Sequence, residues 1–380
     1  SAASDVYKRQ EYPNAEAFDP QPLEEKLLSL KKEIKSQEKN RVVRTLYLWK
    51  VNEQLAKLRL VQAIKEGKGK SIEEQRQYDR RVYRYSRFIW GEPPPEIGEV
   101  AMKEAQERMA LKKKKGVGKK ALSSTDIVNI FNTVIEAYQA EAVAKTDPEV
   151  FVITVTAPAL ENPEVLVPEG KEKTIQRVKE LASHEIEAHV LQREGGRRMS
   201  NRLGILQIGL DRYAVTGEGL GLFAERKMGK ESSFHPWLLA AMALSKTNNF
   251  RQTFETLKGW YVDFQMRKGV SQEKAEAKAA EKCWRFCRRV HRGIRDTSSP
   301  GTYFTRDWAY RKGNLELMTF INNWGEDQLK RLYLGRVGLK HLGMLFELGI
   351  TEPLIEPRFI AGQIIDLETG KAKKLSLIHI

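Results

Sequence analysis

Between residues 23 and 65 apolar side chains return every three or four positions, and this helical period most limits what the chain can fold into. Leu27, Leu30 and Ile34 form one stripe; Leu46, Leu48, Val51, Leu55, Leu58 and Val61 form the next, with Lys and Glu between them. The same period predicts helices over residues 72–89 and 97–111, parted by the breaker Gly91-Glu-Pro-Pro-Pro95. Ser124-Thr-Asp126 reads as a further helix start, backed by an apolar face of Ile127, Ile130, Phe131, Val134, Ile135 and Tyr138. The only strong β signal is Val150-Phe-Val-Ile-Thr-Val-Thr156, which with the short run Val165-Leu-Val167 predicts a small hairpin. From Glu172 onward the pattern is again helical, with stops expected at Gly195-Gly196, Gly229, Gly269, Ser298-Ser-Pro-Gly301, Gly313 and Gly335. No internal repeat of about 20 to 50 residues interrupts this reading.

At 380 residues the chain has room for two domains, or for one large domain with a helical extension. Hydrophobic residues make up 41% and charged residues 30%, which excludes the disordered and collagen-like classes. Its longest apolar run, residues 237–244, falls far short of the roughly 18 residues that a membrane span needs. Cys283 and Cys287 are too few for a disulfide framework, and their spacing is neither a redox pair nor half a zinc knuckle, so they read as reduced thiols on one helix. Both ends read as translated sequencing-library adapter. Residues 5–10, DVYKRQ, can be written GAT GTG TAT AAG AGA CAG, and the reverse complement of that DNA encodes LSLIHI, residues 375–380. The expected layout is artefact at 1–10 and 375–380, a helical N-terminal region at 11–120, and a catalytic domain at 121–374.

The formal charge is +15, or +14 without Asp5, Lys8 and Arg9, so the surface favours anionic partners without naming one. Residues 112–120 hold six lysines around two glycines. They read as a solvated linker or as an anion-binding loop, and no aromatic is interleaved for stacking on bases.

The chemistry is concentrated at His184-Glu185-Ile-Glu-Ala-His189 in a helical stretch. Two imidazoles can hold zinc, and a hydrolytic site adds a carboxylate that takes a proton from water. The spacing is one residue longer than the H-E-x-x-H of ordinary zinc peptidases. On a regular α-helix residues i and i+5 stand roughly 140° apart. A π-type turn would cut this to roughly 50° and bring both rings to one metal. Otherwise these are two unrelated histidines on a helix. Glu218, 34 residues after His184, begins another helix within Thr216-Gly-Glu-Gly-Leu-Gly221 and is the candidate third ligand. Glu225, seven residues further on, is either an acceptor for an imidazole N–H or a solvated or ion-paired carboxylate.

At these residues the chain resembles the microtubule-associated tyrosine carboxypeptidases and their bacterial relatives, often called QEGLA-motif proteins. The H-E-I-x-x-H helix matches residues 184–189, a Gly-Gly-Arg segment matches residues 195–197, and a tyrosine followed by T-x-E-G-L matches Tyr213 and residues 216–220. A later F-T-K-D-x-x-Y-x-x-G pattern matches residues 304–313, and residues 333–342 and 345–353 are similar to the family's C-terminal helices. The resemblance implies a zinc carboxypeptidase that removes a C-terminal aromatic residue, with His184, His189 and Glu218 as ligands and Glu185 as acid and base. It implies a polypeptide substrate, with an acidic tail as in vertebrate members. The chain departs from the pattern at Gly217, Gly221 and Arg306, which leaves the ligands intact and bears on the substrate pocket.

A C-terminal carboxylate calls for an arginine fork, and Arg197, Arg198, Arg202 and Arg306 lie in or between the matched motifs. Each reads equally as a surface or structural arginine. Tyr213 and Tyr310 are candidates to hold an oxyanion, or are packed aromatics. The expected fold is mainly α with a small β-hairpin, a zincin-like core preceded by helices. The competing reading is a non-catalytic basic protein that grips acidic tails or nucleic acid, with a structural or absent metal. The complete set of His184, Glu185, His189 and Glu218 favours the enzyme, and nucleic acid is not the expected partner.

Overall fold

The computed structural model describes residues 19–110, 121–156, 162–230 and 236–365. The lysine cluster at 112–120 and both adapter-like ends lie outside the described residues. Among the described residues four helices come first: α1 (Gln21–Gln37), α2 (Arg41–Glu66), α3 (Ile72–Trp90) and α4 (Ile97–Ala110). Ser71 starts α3 with a capping box, its hydroxyl accepting from Glu74 N while the Glu74 carboxylate accepts from Ser71 N. Next come β1 (Ala121–Leu122), α5 (Ser124–Ala137), β2 (Val143–Asp147), β3 (Thr154–Thr156), β4 (Glu164–Pro168) and β5 (Lys173–Thr174). Ser123 and Asp126 make the same box for α5. The metal-helix region follows as α6 (Ile175–Ala182), a π-helical segment (Ser183–Val190), α7 (Leu191–Arg198), α8 (Ile205–Ile208) and α9 (Tyr213–Lys227). Beyond it are α10 (Pro236–Leu244), α11 (Phe250–Met266), α12 (Gln272–Val290), α13 (Trp308–Trp324), α14 (Leu342–Glu347) and α15 (Ala361–Ile364), with short 3-10 turns between them. The fold is therefore mainly α with a small β part, and no described helix is long and apolar enough to cross a membrane.

Packing divides the chain into two units that interleave in sequence. One takes in α1, α2 from Leu48, α3, α4 and residues from α10 to Trp308. Ala56, Leu60, Ala63, Val82, Ile89, Ile294 and Phe304 form a core in it. Buried Asp79 accepts from the backbone N–H groups of Arg295 (2.9 Å) and Asp296 (2.7 Å), so residues far apart in the chain are tied without a second charge. Cys283 and Cys287 are buried free thiols on α12. Asp307, in the stretch matched to the F-T-K-D pattern, is buried and paired with Arg289 and Arg292.

The other unit holds residues 40–47, β1 through α9, and the chain from Ala309. Its core runs from Leu46 through Phe131, Val165 and Ile186 to Leu317 and Tyr333. The hairpin is shorter than expected. Only Thr154–Thr156 pairs antiparallel with β4, and β2, which the sequence did not announce, adds a parallel third strand on the other edge of β4. Phe151 is 90% exposed and Val152 69%, so the β-prone residues before Thr154 have no buried face to anchor a ladder.

Two expected helix stops are wrong for one physical reason. Gly195 and Gly196 lie inside α7, and Gly313 lies inside α13. A Cβ on Gly195 would stand 1.9 Å from the Tyr333 carbonyl oxygen, and one on Gly196 would stand 2.2 Å from that of Leu206. A Cβ on Gly313 would stand 1.8 Å from the Val215 oxygen, and one on Gly219 would stand 2.4 Å from Gly313. These glycines let backbone touch backbone. Gly229 and Gly269, at φ +89° and +78°, do follow helix ends as expected.

Substitution at these contacts should therefore be far less tolerated than at an exposed helical glycine. Gly313→Ala is expected to lower stability by about 1–3 kcal/mol or more through overpacking. Gly259→Ala, on α11 with open space around it, is expected to be neutral or to stabilise by up to about 1 kcal/mol. Urea unfolding of both variants checks the contrast.

Candidate metal centre

The threonine at the end of β5 starts the metal helix, Thr174 Oγ1 accepting from Arg177 N at 3.3 Å. Val178, Leu181 and Ala182 bury one face of α6, and the chain continues directly into the π-helical segment Ser183–Val190. Each turn there closes over five residues, so His184 and His189 come onto one side. Their ring centroids are 5.0 Å apart with planes at 69°. Glu218 Oε2 on α9 lies 3.7 Å from His184 Nε2 and 3.8 Å from His189 Nε2. A tetrahedral metal with bonds near 2.1 Å holds its ligand atoms about 3.4 Å apart, so the three donors already stand close to the spacing of a zinc site.

A chain of buried groups that sequence reasoning missed holds this wide turn. Glu187 is fully buried on the far side of the segment. Its carboxylate accepts from Ser183 Oγ (2.6 Å), Tyr138 Oη (2.7 Å) and the Ala361 backbone N–H (3.3 Å). Tyr333 Oη donates to the Glu187 carbonyl at 2.8 Å, satisfying a polar group where the regular α ladder is interrupted. The only signal in the sequence was a glutamate on the apolar side of a helix.

Glu218 is placed by the start of α9. Arg212, in the left-handed region at φ 51°, turns the chain into the helix, and the contact of Gly219 with Gly313 fixes the next turn. Beside it Asp211 is buried and accepts from His341 Nε2 (2.9 Å), Lys340 Nζ (2.5 Å) and Arg212 Nε (2.9 Å). The Gly338 N–H donates to His341 Nδ1 at 2.9 Å, which assigns the proton to Nε2. Burial works against the Asp211 charge, yet these donors hold its carboxyl well below the usual carboxylate range.

Burial and neighbouring charge pull the titratable groups of the site in opposite directions. Burial disfavours charge on His184, but Glu218 and Glu225 outweigh it and lift the imidazole to about 10. Burial wins at His189, helped by His184 and Arg336 against Glu218, and lowers it to about 4. Glu225 is drawn down to about 2, its burial overcome by His184 and Lys230. It accepts from Arg177 Nη1 at 3.1 Å and pairs with Lys230, while His184 Nδ1 faces it at 3.4 Å without hydrogen-bond geometry. Half-buried Glu185 is pushed up to about 7 by burial, with Glu218 and Glu225 adding and His184 opposing. Two imidazoles and one carboxylate, His184, His189 and Glu218, offer ligand atoms within 4.8 Å of one another, and this donor set fits zinc.

A sequence model of the microtubule-associated tyrosine carboxypeptidases matches residues 6–378. The chain belongs to this family. Among curated proteins no match is found. The family's name is that of a carboxypeptidase, a hydrolase of peptide bonds, and its QEGLA motif falls on Gly217–Gly221. A Cβ on Gly221 would stand 2.6 Å from the His184 ring, so the imidazole occupies the space that any side chain at this position would need. A Cβ on Gly217 would stand 3.2 Å from Gln192 Oε1, a buried acceptor with no hydrogen-bond partner, and 3.8 Å from the His189 ring.

The candidate substrate residues are placed unequally. Arg197 pairs with Glu194 (2.7 Å) and Glu141 (3.0 Å), and Arg198 binds Glu194 (2.7 Å) and the Gln139 and Leu354 carbonyls. Arg202 is exposed beyond α7, and Arg306 is exposed in the other unit. Tyr213 is half-buried at the start of α9, with the Arg336 guanidinium over its ring at 5.6 Å. Tyr310 is half-buried in the first turn of α13.

The Asp211 network yields a signed pH dependence. A carboxyl whose folded pKa is depressed stabilises above the unfolded value near 3.9 and loses that contribution as pH falls. Asp211→Asn is expected to cost about 3 kcal/mol at pH 7, and less at pH 3. Urea unfolding of both proteins at the two pH values measures the narrowing.

Proposed function

We propose that the chain is a zinc-dependent carboxypeptidase that removes a C-terminal Tyr or Phe from peptides or proteins with acidic residues upstream. What carries this reading is the convergence of His184, His189 and Glu218 through the π-helical segment, with Glu185 beside them. Zinc held by those three side chains supplies a Lewis acid that acidifies water and polarises the scissile carbonyl.

Glu185 acts on the proton. Its carboxylate accepts a proton from the attacking water and passes it to the leaving amine nitrogen as the C–N bond breaks. The products are the shortened chain, with a new carboxylate, and the free amino acid. Glu225 orients the His184 ring, because its carboxylate faces the second ring nitrogen and is itself fixed by Arg177 and Lys230. The acidic-substrate preference rests on the charge of +15, which raises the encounter rate with anionic chains.

Purified protein is expected to carry about one zinc, and His184→Ala, His189→Ala and Glu218→Ala each to lose most of it by metal analysis. Full occupancy in Glu218→Ala would move the third ligand elsewhere. Glu185→Gln is expected to keep zinc and fold while turnover drops roughly 10² to 10⁴-fold, since an amide cannot take the proton. Near-normal turnover in that variant would assign the proton transfers to another group. For substrate, release of free tyrosine from an acidic peptide should slow with added salt much more than from a neutral one, because exposed charges are screened beyond roughly 8–10 Å.

A further inference from the structure

A carboxypeptidase must recognise the terminal carboxylate, and of the candidate arginines Arg197 and Arg198 are committed to Glu194 while Arg202 and Arg306 are exposed with no packing to aim them. Resting on the carboxypeptidase reading above, we infer that the guanidinium of Arg336 receives the substrate's C-terminal carboxylate, with the Tyr213 ring as its platform.

Arg336 lies in the turn after Leu334, half-buried, in the stretch that matches the family's closing motif. Its backbone is fixed on both sides: Arg336 N–H donates to the Leu206 carbonyl at 3.1 Å, and Leu210 N–H donates to the Arg336 carbonyl at 2.9 Å. Gly335, at φ +156°, passes so near Leu206 that a Cβ would stand 2.8 Å from its oxygen. The side chain then leans over Tyr213, and Gly209 makes the room. A Cβ there would stand 2.7 Å from the tyrosine ring and 2.9 Å from Arg336 Cβ. The guanidinium is thus aimed by packing and remains an unneutralised fork.

Charge pairing separates it from the other arginines around the centre. Arg177 is bound to Glu180 and Glu225, Arg197 and Arg198 to Glu194, and Arg212 to Asp211. Arg336 has no carboxylate partner among the described residues. Arg193, one turn beyond His189 on the same helix side, is buried with Nη1 on the Gln207 carbonyl at 3.1 Å, and the Arg336 charge opposes its own. An anion held by Arg336 relieves that repulsion. Tyr213 opens the helix α9 that carries Gly217, where a Cβ would stand 3.8 Å from the His189 ring, and Glu218 next to it, so the fork sits over the same helix as the metal ligand. Planar, bidentate recognition of a carboxylate is what a guanidinium does better than an ammonium.

The test uses the full chain with Glu185→Gln, which binds peptide without turning it over, and a peptide ending Glu-Glu-Tyr as free acid or as amide. Calorimetry is expected to show the free acid bound tighter than the amide by roughly ten- to a hundredfold, the range of a charge-assisted pair. Adding Arg336→Ala should reduce that ratio to within about twofold by weakening the acid alone, with zinc content and melting temperature unchanged. Arg336→Lys should keep part of the preference, and it decides the matter should the alanine variant fail to fold. If the wild-type chain cleaves and the Glu185→Gln parent prefers the free acid, but the Arg336 variants prefer it equally, Arg336 is not the receiver and the carboxypeptidase reading stands. If the wild-type chain releases no tyrosine and its Glu185→Gln form shows no preference, that reading fails and takes this one with it.

Discussion

A turn of helix that is one residue too wide is the constraint on which the centre depends. His189 follows His184 by five positions, and on a regular helix those rings would point apart. The π-helical segment Ser183–Val190 removes the mismatch, and it does so against the grain of the backbone, since π turns are rare where nothing supports them. The support is buried and polar. Glu187 gathers hydrogen bonds from Ser183, Tyr138 and Ala361, and Tyr333 caps the carbonyl of the same residue. The face away from the metal therefore sets the geometry of the face toward it.

Backbone contact sets the rest. Side chains that could settle into other rotamers do not separate α9 from α13 at Gly219 and Gly313, or α7 from its neighbours at Gly195 and Gly196. Glu218 sits next to one such contact and two residues from Thr216, whose hydroxyl accepts from Leu339 N–H at 3.2 Å. Close-packed interiors deform little. A ligand mounted on such a helix inherits that stiffness, which suits a centre whose donors stand apart at nearly their bonded spacing.

Much of the site was legible in the sequence, because its chemistry depends on local spacing. His184, His189, Glu218 and the need for a π turn all follow from residue types and intervals along one strand of text. The pairing of Arg197 and Arg198 with Glu194 was also within reach, since three- and four-residue offsets face each other on a helix. What stayed hidden depends on partners far along the chain. The glycines at 195, 196 and 313 look like helix stops until the carbonyls of Tyr333, Leu206 and Val215 arrive beside them. Arg336 looks like any arginine until Tyr213 is found beneath it. Strand β2 carries no β-rich run of its own, and it pairs because β4 offers it an edge.

The long reach of the Asp211 network bears on how the protein is made. Asp211 is synthesised with Glu218 close behind it, but Lys340 and His341, two of the three side chains that donate to it, follow 129 and 130 residues later. At about 5–20 residues per second the ribosome takes on the order of ten seconds to cover that interval. Throughout it the nascent chain carries His184, His189 and Glu218 on helices whose closing segment does not yet exist, with Arg212 alone of the three donors at hand for the Asp211 carboxylate. Completion of the site's surroundings is therefore a late event in biosynthesis, set by the arrival of the chain's last segment rather than by the residues of the site itself.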